Sequence, residues 1–152
     1  MSTIREQVYE KLLAVLTAAL PPLFPGIKLE RNRDARFQTF PGINILDGPQ
    51  TRDEPESTGI ALYTTTATVE GYVQAEVSAD LGPALNELHG QIVKALLANR
   101  TLDGLADDLF EGEMRPEIGE RENQRPVMGF SLDVQIKFCT AESDPYRQGP
   151  GV

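Results

Sequence analysis

The sequence predicts an α+β domain of two layers: an antiparallel or mixed β-sheet of about four to six strands, with two main helices packed on one face. Two observations lead there. Residues 3–20 and 80–99 repeat apolar side chains at helical spacing, while residues 61–77 and 130–138 alternate apolar and polar side chains at period two. Helices with one apolar side need a sheet with one apolar face, which is the two-layer solution. At 152 residues the chain suits one domain able to bury its own core. We expect that domain to span 1–140 and the remainder, 141–152, to be a poorly ordered tail.

The first helix is predicted over 3–20. Thr3 and Glu6 have the spacing of a capping box, and Ile4, Val8, Leu12, Leu16 and Leu20 recur every four residues before Pro21 and Pro22 stop the helix. A linker rich in Pro and Gly then leads to two short strands, IKLER (27–31) and FPGINIL (40–46), around a charged RNRDAR turn. The segment 47–58, DGPQTRDEPEST, has too little apolar surface to offset the entropy of ordering, so it is expected to be an exposed loop. The alternation that follows, from Ala61 to Val77, is longer than an ordinary strand, and Gly71 is the expected place for a bend or bulge, with a hairpin as the alternative.

A second helix is predicted over 80–99, with Asp80 as candidate N-cap, Pro83 in its first turn, and Leu81, Leu85, Leu88, Ile92 and Leu96 along one side. Next, Phe110, Met114 and Ile118 alternate with Glu111, Glu113, Arg115 and Glu117, a strand whose charged side faces out and whose Pro116 suits an edge. The final strand is the most regular: Phe130, Leu132, Val134, Ile136 and Phe138 face the core, and Ser131, Asp133, Gln135 and Lys137 face away. The ending, TAESDPYRQGPGV, has turn chemistry and no periodicity.

Charge and composition exclude several functions. With 23 acidic against 14 basic residues, a net charge of -9 repels phosphate backbones and anionic membrane surfaces. No apolar run reaches the roughly 18 residues of a membrane span, and the N-terminus lacks the regions of a signal peptide, so the chain is expected to stay in the cell that makes it. The single cysteine, Cys139, excludes an internal disulfide and a Cys-rich zinc site.

No catalytic constellation is visible. The one histidine, His89, sits on the second helix beside Leu85 and Ile92, where it reads as a packing or boundary residue. Cys139 falls on the polar side of the last strand without a nucleophile signature, and reads as an inert or mildly exposed thiol. The acidic run of Asp103, Asp107 and Asp108 with Glu111 and Glu113, and that of Asp53, Glu54 and Glu56, lack a calcium-loop pattern and read as solvated faces. No tryptophan offers a sugar platform, and neither GxGxxG nor GxxxxGK[ST] occurs. The chain is therefore expected to have no enzymatic activity, no cofactor and no metal.

The order of elements, together with IREQVYEKLLAVLTAAL at the start and VMGFSLDVQIKFCTAESDPY at the end, resembles the phage tail terminator family. That family comprises the minor tail protein U-like proteins of long-tailed phages and their counterparts in gene transfer agents. The resemblance implies a structural virion-assembly protein: a homo-oligomer, a hexameric ring, that caps the tail tube, terminates its polymerisation and presents a surface to the head-tail connector. It implies a place in the tail of a virion or phage-like particle, assembled in the host bacterial cytoplasm, with DNA passing through the lumen without specific binding and no membrane contact. Contact segments follow from it: Asp47, Arg52, Asp53, Glu54 and Glu56 for the tail tube or connector, and Tyr146 and Arg147 for a docking tail. Glu111, Glu113, Arg115, Glu117, Asp133, Gln135 and Lys137 would serve the lumen or a neighbouring subunit. The alternatives are a monomeric peptide-binding module that uses an exposed sheet edge, and a small hydrolase.

Overall fold

The computed structural model describes residues 1–54 and 58–149. Helix α1 spans Ile4–Ala19, and the Thr3 hydroxyl accepts the Glu6 N–H at 3.1 Å to cap it. The capping box is not reciprocal, because both Glu6 carboxylate oxygens take the Arg31 guanidinium instead. Helix α2 spans Leu81–Leu97 after a single 3-10 turn, Ser78–Asp80, and Asp80 precedes it without a capping hydrogen bond from its side chain.

Among the described residues, seven strands form one mixed sheet: β1 (Lys28–Arg31), β2 (Gly42–Leu46), β3 (Gln50–Asp53), β4 (Ile60–Gln74), β5 (Asp108–Ile118), β6 (Val127–Ala141) and β7 (Asp144–Gln148). Their order is β1-β2-β4-β6-β5, with β3 beside the first part of β4 and β7 beside the end of β6. β1 and β2 are parallel, and the other pairings are antiparallel. Both helices cover one face, burying Leu12, Leu16, Leu88 and Ile92 against Val69, Leu132, Val134 and Ile136. The fold class stands as α+β, with more strands than the four to six expected. The two extra strands, β3 and β7, are short segments whose pairing comes from the neighbouring strands β4 and β6 and not from any pattern of their own.

β4 and β6 pair in continuous register from Ile60↔Ala141 to Gln74↔Val127. The expected break at Gly71 is absent. Gly71 is instead where Phe130 crosses the ladder: a Cβ there would stand 2.4 Å from the Phe130 ring, so only glycine lets that ring lie over the strand. The bulge lies in β5. Its register on β6 slips between Glu111↔Val134 and Met114↔Leu132, so Gly112 and Glu113 together oppose Asp133. Because side chains alternate, the slip reverses the faces before it. Phe110, expected in line with Met114 and Ile118, lies on the outer face opposite Gln135, and Glu111 lies on the helix side at the open edge.

A polar lock ties α1 to the sheet. Tyr9 is fully buried, and its hydroxyl lies 2.8 Å from the Thr65 hydroxyl and accepts the Gly48 N–H at 3.0 Å. The guanidinium groups of Arg5 and Arg31 lie 4.9 and 5.2 Å from the Tyr9 ring centre. Arg5 donates to the Gly48 carbonyl at 2.7 Å, and Arg31 forks to Glu6 and Asp47. Gly48 must be glycine for this step between β2 and β3, since a Cβ would meet the Thr66 carbonyl oxygen at 1.6 Å.

Candidate functional site: two hairpins, an outer sheet face and a covered cleft

The register of β4 on β6 places two of the predicted contact segments at the same end of the sheet. β3 pairs with Leu62–Thr65 and β7 with Thr140–Ala141, while Leu62 faces Cys139 across the ladder. The segment 47–58, expected to be a loop, is thus a strand over Gln50–Asp53, and the segment after 140 returns as β7. Arg52 approaches Glu142 at 3.9 Å across the two hairpins, and the Glu142 N–H donates to the Gly59 carbonyl at 3.0 Å. Asp53 accepts the Thr64 hydroxyl at 2.7 Å, Glu54 is exposed, and Glu56 lies outside the described residues. Tyr146 is 46% exposed, Arg147 is exposed beside it, and the Tyr146 N–H bonds to Asp144 at 3.0 Å.

Asp47 stands apart from that end. It holds the Arg31 fork at 2.8 and 2.6 Å and also accepts from Asn32. The Arg31 guanidinium keeps its carboxyl below the usual range, and does the same for Glu6.

On the outer face, Arg115 bonds to Asp133 at 3.0 Å and Glu113 at 3.0 Å, the three meeting at the β5 bulge. Asp133 and then Glu113 raise the Arg115 pKa, so this cation is fixed at any working pH. Lys137 lies 6.0 Å from the Phe110 ring centre, and Gln135 lies between Thr66 and Phe110 in register. Glu117 is exposed toward the end of β5, and Glu111 is exposed at its edge.

His89 stacks edge-on against Phe130 with ring centres 5.6 Å apart, and its Nε2 is buried without a hydrogen bond. Cys139 is 3% exposed, under Ile60 and the backbone at Gly149. Among the described residues, no group of three or more His, Cys, Asp or Glu side chains is placed to hold a metal ion, and no helix is long and apolar enough to cross a membrane.

Sequence reasoning missed a cleft of about 280 Å³ at the opposite end of the outer face. The ten-residue passage from β1 to β2 crosses that face and lays Phe37, 7% exposed, against Gly42 and Tyr72. Arg36 bonds to Glu120 and Glu122, both at 2.7 Å, and so fastens this passage to the β5–β6 turn. Below it, Asn44 is 3% exposed and fully engaged: its Oδ1 accepts the Arg33 N–H, and its Nδ2 donates to the Arg33 carbonyl and to Glu70. Burial, then the charge and hydrogen bond of Glu70, push the Tyr72 phenol up to about 12. The one signal in the sequence was Asn44 itself, an amide in the middle of the apolar run GINIL.

No family model matches the chain, and no curated protein does. Among solved structures, a chain from the virion of a native gene transfer agent particle is similar over 89% of this chain and 95% of that one. The identity is 10% and the TM-score 0.36, a likeness too slight to carry an argument.

Proposed function

We propose that the chain is a structural subunit of a phage-type particle that closes into a ring on the end of the tail tube, ends tube growth and receives the head connector, with no catalytic role. The observation that carries the reading is the convergence of two hairpins, with Arg52, Asp53, Glu54, Tyr146 and Arg147, at one end of a long sheet. An axial contact with another protein needs exposed polar and aromatic groups on a rigid base, and two short strands flanking one end of a fifteen-residue ladder supply both. The sequence resemblance to tail terminators supports the same reading. The strand-addition alternative is weaker, because the open edge of β5 is interrupted by the bulge at Gly112–Glu113 and by Pro116, which has no N–H to offer.

The test is the mass of the protein in solution across a salt series. Each subunit brings a charge of -9, so a ring repels itself at low ionic strength. Screening shortens from roughly 30 Å at 0.01 M salt to about 8 Å at physiological strength, and we expect closed oligomers to accumulate over that range. Electron microscopy of tail tubes incubated with the protein should then show capped ends. A monomer at every salt concentration that also leaves tube ends bare would refute the proposal.

A further inference from the structure

Glu70 has no cationic partner within the described residues, although two arginines stand near it. Arg33 is spent on Glu30 at 2.6 Å, on two backbone carbonyls, and on the Phe37 ring at 4.8 Å. Arg36 is spent on Glu120 and Glu122. What remains at the floor of the cleft is a half-buried carboxylate held by the neutral Asn44 and Tyr72, between the aromatic walls of Phe37, Phe40 and Tyr72. A carboxylate kept partly from water without a counter-charge attracts one, and aromatic faces beside it favour a flat, weakly hydrated cation over a compact one. Burial first, and then the charge of Glu70, raise the pKa of the Tyr72 phenol beside it.

We infer that this cleft is a receptor for a guanidinium group, the arginine side chain of another protein, with Glu70 as the ionic anchor and Tyr72 and Phe40, both part-exposed on the cleft wall, as the stacking surface. The charge balance selects the sign of the ligand: of the residues lining the cleft, Arg33 and Arg36 are outnumbered by Asp34, Glu70 and Glu120. The dimensions select its size, since about 280 Å³ lies near the lower end of ligand pockets and suits one long side chain better than a cofactor. This inference does not rest on the tail-ring reading. It concerns the end of the sheet away from the two hairpins and holds for a monomer as well as for a ring.

The probe is Nα-acetyl-L-argininamide, which carries the side chain without free terminal charges. Titrated into the full chain, it should produce saturable shifts in the Tyr72 and Phe40 ring resonances. The neutral isostere Nα-acetyl-L-citrullinamide, at the same concentrations, should produce none. Glu70→Gln keeps an oxygen for Asn44 and should melt as the parent does, yet weaken binding tenfold or more. The inference is overturned if the arginine probe gives no saturable shift, if citrulline binds equally, or if Glu70→Gln binds unchanged. Binding of free agmatine without binding of the capped arginine would overturn the protein source, since a side chain presented by a backbone would then not fit.

Discussion

Replacing Arg31 by Met tests how much of the fold depends on the lock between α1 and the sheet. The substitution preserves an apolar stem over Tyr9 and removes the charge. It deletes four hydrogen bonds of 2.6 to 2.9 Å, two to Glu6 and two to Asp47. Truncating one partner of a fully buried ion pair costs about 3–5 kcal/mol, and an exposed pair is worth about 0.2–1. This site lies between those limits: Arg31 is 19% exposed, Asp47 28% and Glu6 39%, so the stranded carboxylates regain part of their hydration. We therefore expect a loss of about 2–3 kcal/mol at neutral pH, or roughly 5–10 °C in melting temperature for a chain of this size. The pH dependence gives a second reading. Arg31 lowers the pKa of both carboxyls in the folded state, so their contribution is full above the ordinary carboxylate range, near pH 4, and fades as pH falls through the lowered values. The gap between parent and Arg31→Met should stay constant from about pH 7 to 5 and narrow below about 4. Urea denaturation followed by circular dichroism at several pH values measures it. A loss under about 0.5 kcal/mol, or a gap that does not narrow in acid while both proteins are folded, would refute the reasoning.

Two further outcomes are expected. Gly71→Ala should destabilise by about 1–3 kcal/mol through its collision with the Phe130 ring, and Phe130→Leu in the same chain should recover part of the loss, which thermal melts of the single and double variants measure. Removal of residues 144–152 takes away β7 and the cover at Gly149, so the Cys139 thiol should react with a disulfide reagent at least tenfold faster than in the intact chain; equal rates would mean that other residues shield it.

Much of the frame was legible because it obeys one period at a time. Thr3 capped α1, the leucines of α2 met the sheet, and Phe130 to Phe138 faced the helices as alternation requires. Difficulty began where pairing, and not composition, decides. Gln50–Asp53 is polar and follows a proline, yet it is a strand because β4 offers an open edge there, and Asp144–Gln148 is a strand because the end of β6 does. The Phe110 side chain was assigned to the wrong face because one extra residue at Gly112–Glu113 reverses parity, and no residue type announces that slip. For the candidate site, the charged segments were visible as segments, but their convergence at one end depends on the register of β4 with β6. The cleft at the other end was hidden because Phe37, Asn44, Glu70 and Tyr72 come from three separate stretches and meet only through the crossing of 32–41.

The continuous β4–β6 ladder also sets how the chain must reach its final state. Its two strands are not joined by a turn: to bring Gln74 to Val127 and Ile60 to Ala141, the chain must close a loop that contains all of α2 and β5. The β5–β6 hairpin is local and can zip early. The central pairing waits for closure of that large loop, and folding dominated by such distant contacts belongs to the slow, millisecond-to-second class. Until closure, β6 shows the long side that β4 will occupy, so newly made chains should be most prone to pair wrongly with each other in that interval, and refolding yield should fall as protein concentration rises.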